Sequence, residues 1–294
     1  MRAHRGSPKA EQQLKGLTKK FVPLARSARN AGYMALSPLD YAFRLAIQLK
    51  QYPPLHLRRS VGGMSAGFNG PGYEFVAYLR LLAALRGGDS VWDLACGCGM
   101  LELALQDLGW EGSLIGTDID KASIGWAQRN IGAHIPRQKF VHMDIYNEAY
   151  HRKGKLSTKA WLDSFNENEF DIVIAKSLFT HVLPDEQTIY LRGIADRLKP
   201  GGKALLTFFV LSEGQARLAS SGKNRISFQP YSEDERCAVR LPLAPHAAVA
   251  YEQRYLEERF RDAGFKMQSY KLHPGVWTGS PDGLSFQDLI VVEK

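Results

Sequence analysis

The stretch Val91-Trp92-Asp93-Leu94-Ala95-Cys96-Gly97-Cys98-Gly99 decides the fold. An apolar run, Val91–Ala95, ends in a turn of small residues, and helical spacing follows over Leu101–Leu108. Strand, glycine turn and helix in this order open a βαβ unit. Ligands of open α/β sheets sit beyond the carboxyl ends of the strands. Glycine there lets the backbone approach a ligand where a Cβ would collide. The helix start adds unpaired N–H groups and a positive dipole end.

Outward from this stretch the rhythm repeats. Strands are predicted over Leu114–Thr117, Lys139–Met143, Phe170–Ala175, Ala204–Val210, Phe265–Tyr270 and Leu284–Val292. Helices are predicted over Ala122–Ile131, Asp185–Leu198 and Tyr251–Ala263. The alternation predicts a mostly parallel sheet with helices on both faces. Two long connections, Tyr146–Glu169 and Leu211–Ala250, read as lid or binding loops. Upstream, Tyr73–Leu85 reads as a helix, and so does Met34–Tyr52, with an apolar face of Leu39, Phe43, Ala46, Ile47 and Leu49.

At 294 residues and 45% hydrophobic content the chain can bury a full core. Its net charge of +8 is unevenly placed. Residues 1–60 hold twelve Lys/Arg against Glu11 and Asp40, whereas the remainder holds 26 against 28 acids. The charge thus marks off a basic, helical N-terminal extension or lid over 1–60 from a domain over 61–294. The extension offers a contact for an anionic surface, or is a solvated arm. No run approaches the ~18 apolar residues of a membrane span. The first twenty residues lack an apolar signal core, so the expected location is cytoplasmic. Cys96, Cys98 and Cys237 have neither the number of a disulfide framework nor the spacing of a zinc site, and no metal is expected.

The glycine turn is a poor dinucleotide site. The third small residue of that fingerprint is replaced by Glu102. Asp93, at the end of its strand, would repel a diphosphate and suits a ligand with a cationic end. Asp118 closes the second strand at the distance where an acid accepts hydrogen bonds from ribose hydroxyls. Asp144 closes the third, with apolar Ile145 beside it. Three acids closing three successive strands form one pattern.

With these residues in view, the chain resembles the class I S-adenosylmethionine-dependent methyltransferases. That family's first motif is E/D-x-G-x-G-x-G, which Asp93 to Gly99 matches with Ala95 in the first glycine slot. Phe170 to Ser177 resembles its fourth strand, and Lys199-Pro200-Gly201-Gly202-Lys203 its turn before the fifth. The resemblance runs from about Ser90 to Phe209. It implies a Rossmann-like methyltransferase fold with a seven-stranded sheet, the last strand antiparallel, and S-adenosylmethionine as cofactor. Carried across, Asp93 with Ala95, Gly97 and Gly99 would hold the methionine part and Lys176 would pass close to it. Asp118 would bind the ribose, Ile119 would lie on the adenine, and Asp144 with Ile145 would take the adenine edge and face.

Methyl transfer from a sulfonium is an in-line displacement, helped mainly by alignment. A hydroxyl acceptor also needs a base. His181, just past the fourth strand, is the candidate, against a structural reading as a packing histidine. His142 reads as structural. His56 with Arg58 and Arg59 could reach an anionic acceptor, with a solvated turn as the alternative. Phe228, Tyr231, Tyr251, Tyr255 and Trp277 are candidates for an acceptor wall, with Arg217, Lys223, Arg225, Arg236 and Arg240 near them in sequence. The leading function is O-methylation of a small-molecule or glycan acceptor. An RNA or protein methyltransferase using the basic arm is the alternative, although no Asn-Pro-Pro-Tyr block follows the fourth strand. A non-enzymatic scaffold would not need the intact series of acids.

Overall fold

The computed structural model describes residues 31–49, 51–58, 68–167, 169–213 and 224–294. The basic stretch before residue 31, together with Arg59, Arg217 and Lys223, lies outside the described residues. Five strands run parallel: β1 (Ser90–Leu94), β2 (Ser113–Asp118), β3 (Gln138–His142), β4 (Phe170–Ala175) and β5 (Leu198–Phe208). Four short strands come next: β6 (Val210–Leu211), β7 (Gln229–Pro230), β8 (Cys237–Val239) and β9 (Val249–Glu252). The last two are β10 (Lys266–His273) and β11 (Asp288–Glu293). The main sheet has seven strands in the order β10-β11-β5-β4-β1-β2-β3, with β11 antiparallel to both neighbours. Strand order reverses between β1 and β4, and this opens a crevice beyond their carboxyl ends.

Alternation along the strands divides the core into two layers. Val91, Ile172, Ile174 and Leu205 point to one face, where α3 (Gly70–Leu82) and α4 (Met100–Asp107) cover them with Phe75, Leu79, Leu101 and Leu105. Trp92, Leu94, Val173 and Leu206 point to the other. There α6 (Thr158–Ser164), α7 (Pro184–Arg197) and α8 (Gln253–Asp262) supply Trp161, Leu191, Leu256 and Phe260. Burial on both faces is why these strands read as continuous apolar runs. Gly72 lets α3 cross α4 closely, since a Cβ there would sit 2.5 Å from the Met100 carbonyl oxygen. On the far side of the crevice α5 (Lys121–Ala127) begins at Asp120, whose side chain accepts the Ala122 amide at 3.2 Å.

Three expectations need correction. The connection Leu211–Ala250 is not a plain loop. It carries β7, β8 and part of β9, which pair with β6 as a second sheet in the order β6-β9-β8-β7. The Val249 amide donates to the Thr180 carbonyl at 2.8 Å and ties that sheet to the loop after β4. The connection Tyr146–Glu169 likewise contains α6.

The third correction concerns the helix before Pro53. It is shorter than predicted, spanning Ser37–Ala46 (α1), and α2 (Leu55–Arg58) follows. Its apolar stripe does not face the core: Leu39 is 71% and Phe43 55% exposed, whereas Arg44 is 6% exposed. Charge docks this helix. Asp40 pairs with Arg44 at 2.9 Å and with Arg58, and accepts the Leu55 amide at 3.2 Å. Arg44 and Arg58 also donate to the carbonyls of Tyr52 and Pro53 at 2.6 and 3.0 Å. Arg58 is thereby turned inward and does not reach for an acceptor. Among the described residues no helix is long and apolar enough to cross a membrane.

Candidate active site

The turn after β1 takes three residues through the left-handed region: Ala95 (φ 71°), Gly97 (φ 60°) and Gly99 (φ 83°). Ala95 and Cys96 donate their amides to the Thr117 carbonyl at 2.8 and 3.0 Å, which pins the turn to the end of β2. The Asp118 carboxylate completes the tie, accepting from the Gly97 and Asp120 amides, each at 2.7 Å. Gly99 is required by packing, because a Cβ there would sit 2.5 Å from Ile131 Cδ1. Gly116 leaves room for the Glu102 carboxyl, whose Oε1 lies 2.8 Å from where a Cβ would be.

Beyond this turn lies a cavity of about 510 Å³, within the range of small-molecule sites. Asp93, Ala95, Gly97, Asp118, Ile119, Lys176 and His181 all contribute to its wall. Phe75, Met100, Met143 and Tyr190 supply apolar surface, and Asn147 and Tyr150 come from the loop after β3.

Burial sets the electrostatics. It pushes the Asp93 carboxyl up to about 7, with Lys176 opposing and Asp118 adding to the rise. It pushes Asp118 up to about 6, against the amide bonds from Asp120 and Gly97. It holds the Lys176 ammonium below its ordinary range, with Asp93 pulling the other way. Lys176 Nζ sits 3.7 Å from Met100 Sδ and 4.9 Å from the Phe75 ring centroid. Behind Asp93 lies Glu102, fully buried, whose carboxyl is raised well above the ordinary range by burial and then by Asp93. Asp93 Oδ1 and both Glu102 oxygens have no donor among the other groups. A proton on Glu102, shared with Asp93, satisfies the pair.

A family profile described as a methyltransferase domain matches residues 91–202, the span that builds this wall from β1 to the start of β5. Residues 91–202 of the chain are thus a methyltransferase domain. It is similar to the ribosomal protein L11 methyltransferase of Limosilactobacillus fermentum, with 28% identity over 160 residues, 54% of this chain and 42% of that protein. The chain thus spans less than half the length of that relative. Among solved structures, a putative O-methyltransferase from Nostoc punctiforme aligns with TM-score 0.52 and 16% identity, covering 82% of this chain and 61% of that one. A protein from Pyrococcus horikoshii aligns with TM-score 0.51 and 19% identity over 78% of this chain and 92% of that one. Both likenesses bear on the fold.

The methyltransferase cofactor, S-adenosylmethionine, suits the residues present. Its ammonium and sulfonium are cationic, and Asp93 offers a buried carboxylate oxygen without an amide or cationic donor. Gly99 stands behind the wall as the N-cap residue of α4.

The structure does not bring Asp144 and Ile145 into this wall. Ile145 is buried in the core and bridges Leu156. Asp144 turns to His151, whose Nε2 lies 3.0 Å away and holds the carboxyl below the usual carboxylate range. Met143 and Asn147 take the places expected of them. Asp144 and His151, with His142, whose Nε2 donates to the Ile119 carbonyl at 3.2 Å, put potential metal-ligating atoms within 4.8 Å of one another.

The expected aromatic wall is also corrected. Tyr251 and Tyr255 stack within the core beside Phe208, and Phe228 and Trp277 pack on Phe209. Tyr231 is likewise buried in the core. Arg236 is held by Asp234 and Asp185 at 2.8 and 3.0 Å. The aromatics that do reach the cavity are Phe75, Tyr150 and Tyr190. Sequence reasoning missed Glu102 as a buried partner of Asp93, although an acid inside the apolar run Met100–Leu105 was a signal. It also missed Ser177, held at φ 59° in the wall with its amide donating to Thr207 Oγ1 at 2.7 Å. Strain of this kind concentrates at functional sites.

Proposed function

We propose that this chain transfers a methyl group from S-adenosylmethionine to a hydroxyl of a small-molecule or glycan acceptor, with His181 as the base. The observation that carries the reading is the presence of His181 in the wall of the cavity that Asp93 and Asp118 also line, with its ring already oriented. Nδ1 donates to the His246 carbonyl at 2.9 Å, and His246 Nδ1 donates back to the His181 carbonyl at 2.9 Å. Holding the proton on Nδ1 makes Nε2 the basic nitrogen of the neutral ring.

Bound S-adenosylmethionine supplies an electrophilic methyl group on a good, neutral leaving group. Asp93 and Lys176 would hold the two charged ends of its methionine part. Asp118 would accept from the ribose, and Ile119 with Met143 would flank the base. Phe75, Tyr190 and the apolar wall exclude water from the line of attack. His181 Nε2 would take the acceptor's proton as the new bond forms.

Three free, buried cysteines support a reducing, cytoplasmic compartment. The Asp40–Arg44–Arg58 lock holds residues 40–58 together, and Tyr52 and Leu57 join them to the core of the methyltransferase domain beside Cys96 and Met100. A second reading, methylation of a protein or RNA through the basic arm, is favoured by the ribosomal-protein activity in the name of the Limosilactobacillus relative.

The test is a melting curve of the full chain with S-adenosylmethionine, S-adenosylhomocysteine or NAD, followed by methyl transfer to panels of hydroxylated metabolites, glycans, RNA and ribosomal protein. Ligand binding to the native state raises the melting temperature. A rise with both sulfur ligands and none with NAD is expected, and no rise with either sulfur ligand would end the enzyme reading. Transfer to RNA or ribosomal protein alone would select the second.

A further inference from the structure

Residues 31–49 contain only two charged side chains, Asp40 and Arg44. Both lie on the inward stripe of the segment, with Tyr33 and Ser37, and both are engaged in the lock around Arg58. Apart from Tyr33 and Leu49, which packs on the core, the large apolar side chains point the other way. Leu36, Leu39, Phe43 and Ile47 are exposed along one flank, Met34, Tyr41 and Leu45 along the other, with Ala35, Ala42 and Ala46 exposed between them. A helix on a globular surface ordinarily does the reverse, hiding its apolar stripe and showing its charges. Contiguous exposed apolar surface of this extent marks an interaction site.

The sequence on its N-terminal side narrows the partner. Residues 1–30 carry eight Lys/Arg against one acid, Glu11. An apolar face joined to a strongly basic segment matches one kind of surface, an anionic bilayer, which offers both lipid phosphates and hydrocarbon. RNA would engage the charge but leave the apolar face in water. A second copy of the chain would cover the apolar face but bring two basic segments together.

We propose that the outward face of α1 docks this protein on an anionic lipid bilayer. The docking is peripheral: α1 spans ten residues and lies in the interface plane, its apolar side chains among the upper acyl chains. The inference does not rest on the identity of the methyl acceptor. It adds a location at which acceptors near a membrane surface would be met.

The experiment is co-sedimentation of the full chain with vesicles of phosphatidylcholine, alone or with one-third phosphatidylglycerol. Partition onto the anionic vesicles should exceed that onto neutral ones by about tenfold and fall as salt is raised. The double substitution Leu39→Glu/Phe43→Glu, at exposed positions, should lower it by about tenfold while the cofactor-induced melting shift is unchanged. In a second measurement, Phe43→Trp should show a blue-shifted emission on anionic vesicles. Equal partition of the wild type and the double variant, no binding to anionic vesicles, or an unshifted Trp emission overturns the proposal. So does a wild-type dimer that the double variant dissolves, since the face would then be covered by a second copy.

Discussion

The Asp118 carboxylate accepts the Gly97 amide at 2.7 Å, so the acid at the end of β2 holds the glycine turn at the end of the neighbouring β1 in shape. The same side chain caps the Asp120 amide. Asp118→Ala would leave these two amides without an acceptor in a dry site, at a cost of about 2–3 kcal/mol in urea unfolding. Asp118→Asn keeps one acceptor oxygen and should lose less. Both should weaken cofactor binding by at least about tenfold, because the ribose partner is altered as well. An Asp118→Ala protein as stable as the wild type would mean that the turn holds itself.

Ala95 occupies a glycine slot at φ 71°. A Cβ in the left-handed region clashes with the following carbonyl and costs roughly 1–2 kcal/mol, part of which glycine returns through its freer unfolded chain. Ala95→Gly should therefore stabilise the protein by about 0.5–1 kcal/mol, with cofactor affinity kept. Ala95→Val, β-branched at the same φ, should destabilise it. Guanidinium unfolding of the three proteins checks the order, and a less stable glycine variant refutes it.

The acids at the ends of β1 and β2 were legible because short continuous apolar runs mark the strands and a strand's end in a parallel sheet is where a ligand sits. What lay beyond the strands was less legible. The spacing of Leu39, Phe43 and Ile47 predicts an amphipathic helix, but periodicity is silent on which face docks. That was decided by an ion pair between Asp40 and Arg58, 18 residues apart. Asp144 matches the family motif, yet His151, brought back by the Asn147–His151 bridge, draws it aside. Glu102 read as a misfit for a dinucleotide site. Its part beneath Asp93 needed the packing of α4 against β2, visible only once Gly116 faces it.

The acid pair gives a pH dependence with a definite sign. Asp93 and Asp118 are raised by burial to about 7 and about 6, above their unfolded values. A raised carboxyl contributes stability that is complete below the unfolded range and is lost as pH rises through the folded value. The ligand-free protein should thus lose stability between about pH 4 and about pH 7 on account of these two groups. A cationic cofactor reverses the balance, because ionised Asp93 attracts it. The melting shift caused by S-adenosylhomocysteine, which keeps the ammonium, should grow from about pH 5.5 to about pH 8. Asp93→Asn should flatten that growth and make the ligand-free protein more stable at the upper end. A shift that is level in the wild type would show that Asp93 does not meet the ligand's charge.

His181 is the residue on which the proposed chemistry turns, and two histidine substitutions separate catalysis from packing. If Nε2 takes the acceptor's proton, His181→Ala should lower kcat by about 10²–10⁴-fold with cofactor affinity nearly unchanged. It should also abolish the rising limb of the pH–rate profile. His246 acts at one remove. Its backbone carbonyl, which orients His181, survives His246→Ala, but the return bond from His246 Nδ1 to the His181 carbonyl is lost. That variant should fall between the wild type and His181→Ala in kcat and keep the rising limb. If instead His181 only packs the loop after β4, both substitutions should lower the melting temperature, and the pH–rate profile of His181→Ala should keep its shape.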